Sequence, residues 1–335
     1  MLRLKYKNDT KLKGHSYLPV LRFILLSGLM LFSSCAHYKC DPAYQGPKGR
    51  NADMLNYYSY PKRTIEAEIE KIHEKKKYIV EQIEFPSAVN IFGKDKIRID
   101  YYSQKKKGKF PAVLFLPISG GIDFSAEAFA RHFVTNGLNC AIVHNRDFDL
   151  DETESAEEVE NYFRQIVFDG RQALDYLSER QDVDKEKFGC MGFSLGGIKA
   201  SLISGVDERI KCSVIGLAGG SIADITILSG KKEMRDYIRE LMEIGVDSET
   251  IHLELSDKVV TDPLELGGYI DARDVLMYIA SFDNVVPRQC CEKLRKTIGN
   301  PETVYFFTGH YGSFLYLPYA EMKSLSFFKQ RFGMK

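Results

Sequence analysis

From Phe110 onward the chain alternates short, almost wholly apolar runs with amphipathic stretches, and no other feature constrains its fold as tightly. The apolar runs lie at 112–116, 139–143, 188–191, 212–217, 275–281 and 303–307. Strands apolar throughout belong to a parallel sheet covered by helices on both faces. Helices are predicted between them at 125–136, 155–179, 197–204 and 288–298, with a last one at 319–332. In the second, Val159, Phe163, Ile166, Val167, Ala173, Leu174 and Leu177 keep helical spacing, with Asp151 and Glu152 near its start. Repeated strand–helix units of this length predict an α/β class fold, an open and mostly parallel sheet flanked by helices. The domain should span 63–335. Ahead of the alternation, Ile65, Ile69 and Ile72 predict a short amphipathic helix, followed by strands at 78–85 and 96–102. One segment, 221–266, breaks the alternation with predicted helices at 231–244 and 253–260. Such a small helical insertion is where a lid over a catalytic face would sit; a peripheral elaboration is the other reading.

The amino terminus reads as an export signal over 1–34. Six Lys and Arg residues there face only Asp9, roughly +5, so the rest of this formally neutral chain carries roughly −5. That balance offers no basic field for nucleic acid. The apolar run 23–32 is too short for a comfortable span and has the length of a signal-peptide core. Ser33-Ser34-Cys35 resembles the lipobox of bacterial lipoproteins, with Phe32 where that motif usually has leucine. The resemblance implies lipidation of Cys35 and export to the bacterial cell envelope on a membrane anchor; plain secretion is the alternative. The polar, Gly/Pro/Tyr-containing stretch 35–62 is then expected to be a tether. Cys140, Cys190 and Cys212 fall inside predicted strands and read as buried thiols. No cysteine or histidine spacing suggests a metal site.

The chemistry-bearing motif is Gly192-Phe193-Ser194-Leu195-Gly196, which follows an apolar strand and opens a helix. A strand–G-x-S-x-G–helix unit is a nucleophile elbow: the serine sits on a tight turn above the sheet, and the glycines leave room for neighbouring backbone. A serine hydroxyl needs a base within hydrogen-bond reach, and the base needs an orienting carboxylate. Asp283 stands just past the run 275–281 and His310 just past 303–307, in the order serine, acid, histidine. They lie 89 and 27 positions apart in turn along the chain, yet the carboxyl ends of neighbouring parallel strands converge. Of seven histidines only His310 falls after a suitable strand; Asp147, Asp257 and Asp262 each follow the wrong element. An oxyanion hole needs two backbone N–H groups. Leu195 supplies one; Ser119, in the loop Pro117-Ile118-Ser119-Gly120-Gly121, is the expected second, with Ile118 as its alternative.

Over 110–332 the chain resembles α/β-hydrolases, most closely the dienelactone-hydrolase and prolyl-oligopeptidase-like esterase branches. The resemblance rests on Asp169-Gly170-Arg171-Gln172-Ala173-Leu174-Asp175-Tyr176-Leu177, Val183-Asp184, Gly192 through Gly197, Asp283-Asn284-Val285-Val286-Pro287 and Gly309-His310-Tyr311. It implies hydrolysis of a small-molecule carboxylic ester through an acyl-serine intermediate, without cofactor. Ser194 would attack, His310 would shuttle the proton, and Asp283 would hold its tautomer. A dienelactone hydrolase proper uses a cysteine, so Ser194 points to ordinary esters. A serine peptidase or lipase-like hydrolase is the alternative, disfavoured by the short insertion and by the lack of a recognisable propeller ahead of Phe110. A catalytically silent binding lipoprotein is the alternative of another class.

Overall fold

The computed structural model describes residues 35–93, 96–146 and 155–334. The predicted signal at 1–34, Asp147, Asp151 and Glu152 lie outside the described residues. The first elements are β1 (Ala36–Tyr38), α1 (Ala52–Tyr57), β2 (Glu68–Glu74), β3 (Tyr78–Pro86) and β4 (Lys96–Gln104). The alternating part follows as β5 (Phe110–Leu116), α2 (Phe124–Thr135), β6 (Asn139–Val143), α3 (Ala156–Glu179), β7 (Val183–Phe193), α4 (Leu195–Val206) and β8 (Ile210–Gly216). Helices α5 (Ile222–Leu228), α6 (Lys232–Glu243), α7 (Ser248–Lys258) and α8 (Pro263–Leu266) form the insertion. The chain closes with β9 (Val275–Ala280), α9 (Arg288–Ile298), β10 (Glu302–Phe306) and α10 (Leu317–Arg331).

Ten strands make one sheet in the order β1-β10-β9-β8-β7-β5-β6-β4-β3-β2. The stretch from β10 to β6 is parallel throughout. Antiparallel pairs extend it on both sides, β1 on β10 and β4-β3-β2 beyond β6. Side chains alternate across the pleat, so each central strand feeds two cores. On β5, Ala112, Leu114 and Leu116 join the core beneath α3, α4 and the insertion. Val113 and Phe115 join the opposite core, with Phe129 and Phe133 of α2 and Phe328 of α10. Burial on both faces explains why these strands are apolar without interruption.

Two expectations fail ahead of β5. The segment at Ile65, Ile69 and Ile72 contains no helix; Glu68–Glu74 pairs as a strand with β3, with an irregularity between Lys71 and His73. Ile69 and Ile72 are largely exposed, so their spacing marks no buried stripe, and strand pairing settles the conformation. Nor is 35–62 a free tether. Tyr58 is buried and its hydroxyl lies 3.0 Å from Thr261 Oγ1. The Tyr60 hydroxyl donates to Asp175 at 2.7 Å, and Arg50 Nε to the Gly205 carbonyl at 2.9 Å. Aromatic and guanidinium groups that read as linker polarity in sequence instead dock this segment onto the domain.

The insertion is pinned at both ends. Asp262 accepts from the Ser221 and Ile222 amides at 2.9 and 2.5 Å and from Leu264 N at 2.7 Å, capping α8 just before Pro263. Glu160 of α3 accepts from Thr261 N at 2.7 Å and from the Tyr57 hydroxyl at 2.8 Å. Buried carboxylates satisfied this fully hold a neck in place.

Candidate active site

The sheet order reverses around β5, which has β6 on one side and β7 on the other, and crevices open at the carboxyl ends of strands at such a point. Ser194 stands between β7 and α4 with φ 54° and ψ −126°, a backbone conformation costly for any residue with a side chain. Its amide donates to the Gly216 carbonyl at 2.9 Å, and its own carbonyl accepts from Gly197 and Ile198 in the first turn of α4. The turn exists because its glycines lack Cβ atoms. A Cβ on Gly192 would stand 2.3 Å from the Gly196 carbonyl, and one on Gly196 would stand 2.0 Å from the Leu116 carbonyl oxygen. A third glycine is needed as well: a Cβ on Gly197 would meet the Gly216 carbonyl oxygen at 2.6 Å.

His310 follows β10 and opens the turn Tyr311–Tyr316; its Nε2 is 3.0 Å from Ser194 Oγ and its Nδ1 is 2.7 Å from Asp283 Oδ2. The Asp283 side chain is withdrawn from solvent, and its Oδ1 accepts from the Val285 and Val286 amides at 2.9 and 3.0 Å. With one carboxylate oxygen occupied by two amides, the other is left to take the proton of Nδ1. Nε2 then faces the serine as an acceptor. The three residues named from sequence therefore meet in one hydrogen-bonded chain. Neither rival carboxylate among the described residues joins it: Asp262 is taken by the insertion neck, and Asp257 sits exposed beside Lys258 at 2.9 Å.

Ser119 and Leu195 line, with Ser194, a cavity of about 990 Å³ whose wall also includes Ile225, Met234 and Tyr237 of the insertion. A narrower apolar cavity of about 130 Å³ also opens on Ser194, bounded by His310, Phe314 and Leu317. Leu195 is the first residue of α4, where backbone N–H groups and the helix dipole favour negative charge. The loop carrying Ser119 is closed by a Gly121 N–H bond to the Ile118 carbonyl at 3.0 Å.

Sequence reasoning passed over the polar cluster behind this loop. Lys199, in α4, is 2% exposed, and its Nζ donates to Asn145 Oδ1 at 2.6 Å. Burial pushes its amine down to about 7, against the opposing pull of the Asp169 carboxylate. Asp169 in turn pairs with Arg146 through two bonds of 2.6 and 3.0 Å. The signal was a lone lysine inside the apolar run Gly197-Ile198-Lys199-Ala200-Ser201-Leu202. Among the described residues no cluster of His, Cys, Asp and Glu could hold a metal ion, and no helix is long and apolar enough to cross a membrane. Cys140, Cys190 and Cys212 are free thiols and buried.

A parallel sheet of this order, with a serine on the turn after β7 and covering helices on both faces, defines the α/β-hydrolase fold. Solved structures of that class superpose well. The acetyl xylan esterase from Paenibacillus sp. R4 aligns with a TM-score of 0.66 at 19% identity, over 83% of this chain and 91% of that one. Acetyl xylan esterase 1 from Thermoanaerobacterium sp. JW/SL YS485 gives 0.63 at 17%, over 86% and 99%. No protein-family model matches the chain. In sequence, the putative hydrolase YtaP of Bacillus subtilis is 25% identical over 175 residues, 46% of this chain and 57% of that protein. The uncharacterized protein MT2702 of Mycobacterium tuberculosis is 29% identical over 154 residues, 45% of this chain and 34% of its own. The chain thus spans less than two thirds of the length of either relative.

Proposed function

We propose that the protein is a serine hydrolase that cleaves carboxylic esters of small molecules. The observation that carries this reading is the unbroken chain from Ser194 Oγ through His310 to the buried Asp283. In the first half-reaction Ser194 Oγ attacks the ester carbonyl carbon while His310 Nε2 takes its proton. The carbonyl π pair moves onto oxygen, where the Leu195 and Ser119 amides receive it. As the tetrahedral intermediate collapses, the C–O bond to the alcohol breaks and His310 returns the proton to the departing oxygen. Water then repeats the sequence on the acyl-serine, releasing the acid and restoring Ser194. Asp283 keeps Nδ1 protonated and stabilises the imidazolium without taking the proton itself.

Similarity to a putative hydrolase and a fold shared with acetyl xylan esterases support hydrolysis as the class of reaction. A fluorophosphonate probe should label the wild-type protein and fail on Ser194→Ala; an unlabelled, folded wild type would leave only a binding role. Hydrolysis of p-nitrophenyl esters without hydrolysis of aminoacyl anilides separates the esterase from a peptidase. We further propose export and membrane attachment through a lipid on Cys35, supported by the basic and apolar character of 1–34 and the Ser33-Ser34-Cys35 junction. Cys35 directly precedes β1, the edge strand beside β10, so a lipid there would hold that edge of the sheet close to the membrane. Metabolic labelling with palmitate, lost in Cys35→Ala, is the corresponding test.

A further inference from the structure

We propose that Lys199 is a positioning residue for catalysis, acting through Asn145 on the peptide unit between Ile118 and Ser119. The proposal rests on the serine-hydrolase reading, because Ser119 is there an oxyanion donor. Three hydrogen-bonding groups form the chain. Lys199 Nζ donates to Asn145 Oδ1 at 2.6 Å, and Asn145 Nδ2 donates to the Ile118 carbonyl oxygen at 2.6 Å. The orientation of the Asn145 amide is forced, since the Ile118 carbonyl can only accept and so takes Nδ2, which leaves Oδ1 to accept from the lysine amine.

The carbonyl of Ile118 and the N–H of Ser119 belong to one planar peptide and point in opposite directions. Holding that oxygen therefore aims that N–H. The Gly121 amide holds the same oxygen at 3.0 Å, so the carbonyl is fixed from two sides. Hydrogen bonds onto a carbonyl oxygen also draw electron density from its amide nitrogen, making the N–H a better donor, and successive bonds in such a chain reinforce one another. An amine at the far end strengthens both bonds that follow it.

The placement of Lys199 is otherwise difficult to account for. It is buried on α4 five residues after Ser194, in a helix whose neighbours Ile198, Ala200 and Leu202 are apolar. A methionine would fill the same volume without withdrawing an amine from water, which is costly. The nearby carboxylate, Asp169, is already bound by the Arg146 guanidinium. What the lysine adds is a donor to Asn145.

The test uses Lys199→Met and Asn145→Ala in the full chain, each checked for folding by its melting transition. Each variant should lower kcat by roughly 10- to 100-fold, less than the loss on deleting an oxyanion donor outright, with KM changed less than about threefold. Affinity for a boronic-acid inhibitor, whose tetrahedral adduct places an oxygen in the oxyanion hole, should fall in parallel. The double variant should be no slower than Asn145→Ala, because both changes cut one chain. A lysine that only fills space would alter melting while leaving kcat and boronate affinity alone, and that result overturns the proposal. Losses that multiply in the double variant overturn it too. If Lys199→Met fails to fold, Asn145→Ala carries the test alone, and unchanged kcat in that variant is a refutation. Fluorophosphonate labelling of the wild type separates the two failures: a labelled enzyme indifferent to both substitutions sinks this proposal only, whereas an unlabelled one sinks the hydrolase reading.

Discussion

Gly196→Ala perturbs the elbow at its tightest point. The added Cβ would lie 2.0 Å from the Leu116 carbonyl oxygen, 2.9 Å from its carbonyl carbon and 2.9 Å from the Pro117 carbonyl oxygen. All three atoms are backbone, so no side chain can swing aside. Reaching even 3.0 Å, still tighter than most Cβ contacts, requires about 1 Å of separation between α4 and the end of β5. That strand end leads directly into the loop bearing Ser119, and α4 begins beside Ser194, so the separation opens the distance between the proposed nucleophile and the proposed oxyanion donor. A misplacement of about 1 Å at reacting groups costs on the order of 100-fold in rate, whereas overpacking of this kind costs about 1–3 kcal/mol in stability. The expected outcome is a folded protein, melting several degrees lower, with kcat for p-nitrophenyl butyrate down about 100-fold. Steady-state kinetics and a thermal melt on the same preparation measure both. A variant retaining kcat within threefold of wild type would refute the claim that this contact sets the spacing of the site.

Asp283→Asn should leave the fold intact but reverse the hydrogen-bonding demand on His310 Nδ1, lowering kcat by about 10⁴-fold with little change in KM; steady-state kinetics at pH 8 measure it. Lys199 makes stability depend on pH. Its folded-state amine is held at about 7, below the ordinary lysine value of about 10.4, so between these limits the unfolded chain binds a proton that the folded chain does not. Stability supplied by this position should rise by about 1.4 kcal/mol per pH unit from pH 7 to about pH 10 and be lowest below pH 7. The groups that share its surroundings are Asn145, Asp169 and the Arg146 paired with Asp169. In Lys199→Met the slope should vanish, so urea unfolding at pH 7.5, 8.5 and 9.5 should show the wild type gaining steadily on the variant; parallel curves would contradict the assignment.

Much of the central domain could be read from sequence because its strands are buried on both faces. Burial leaves short uninterrupted apolar runs such as 112–116 and 275–281, whose length and repeated alternation with amphipathic stretches mark them as strands and locate their carboxyl ends. Ser194, Asp283 and His310 were legible for that reason. Elements stabilised mainly by pairing left weaker traces. Glu68–Glu74 is exposed along its length and held by β3, so its composition records neither a buried face nor a period. The stretch from Cys35 to Lys62 looked like linker because its tyrosines and arginines bind partners far away in the chain, such as Asp175 and Gly205. Lys199 went unread: its only trace is a lone lysine in an apolar run, its partner Asn145 lies in a loop with no local signature, and only three-dimensional proximity joins them.

The central claim is that Ser194, made nucleophilic by His310 and Asp283, attacks an electrophilic centre. Intact-protein and peptide mass spectrometry after fluorophosphonate treatment measures this directly. The expected result is one adduct per chain, carried by the peptide containing Ser194, formed at least 100-fold more slowly in folded His310→Ala. An adduct on another residue, or one that forms on Ser194 just as fast without the imidazole, would contradict it.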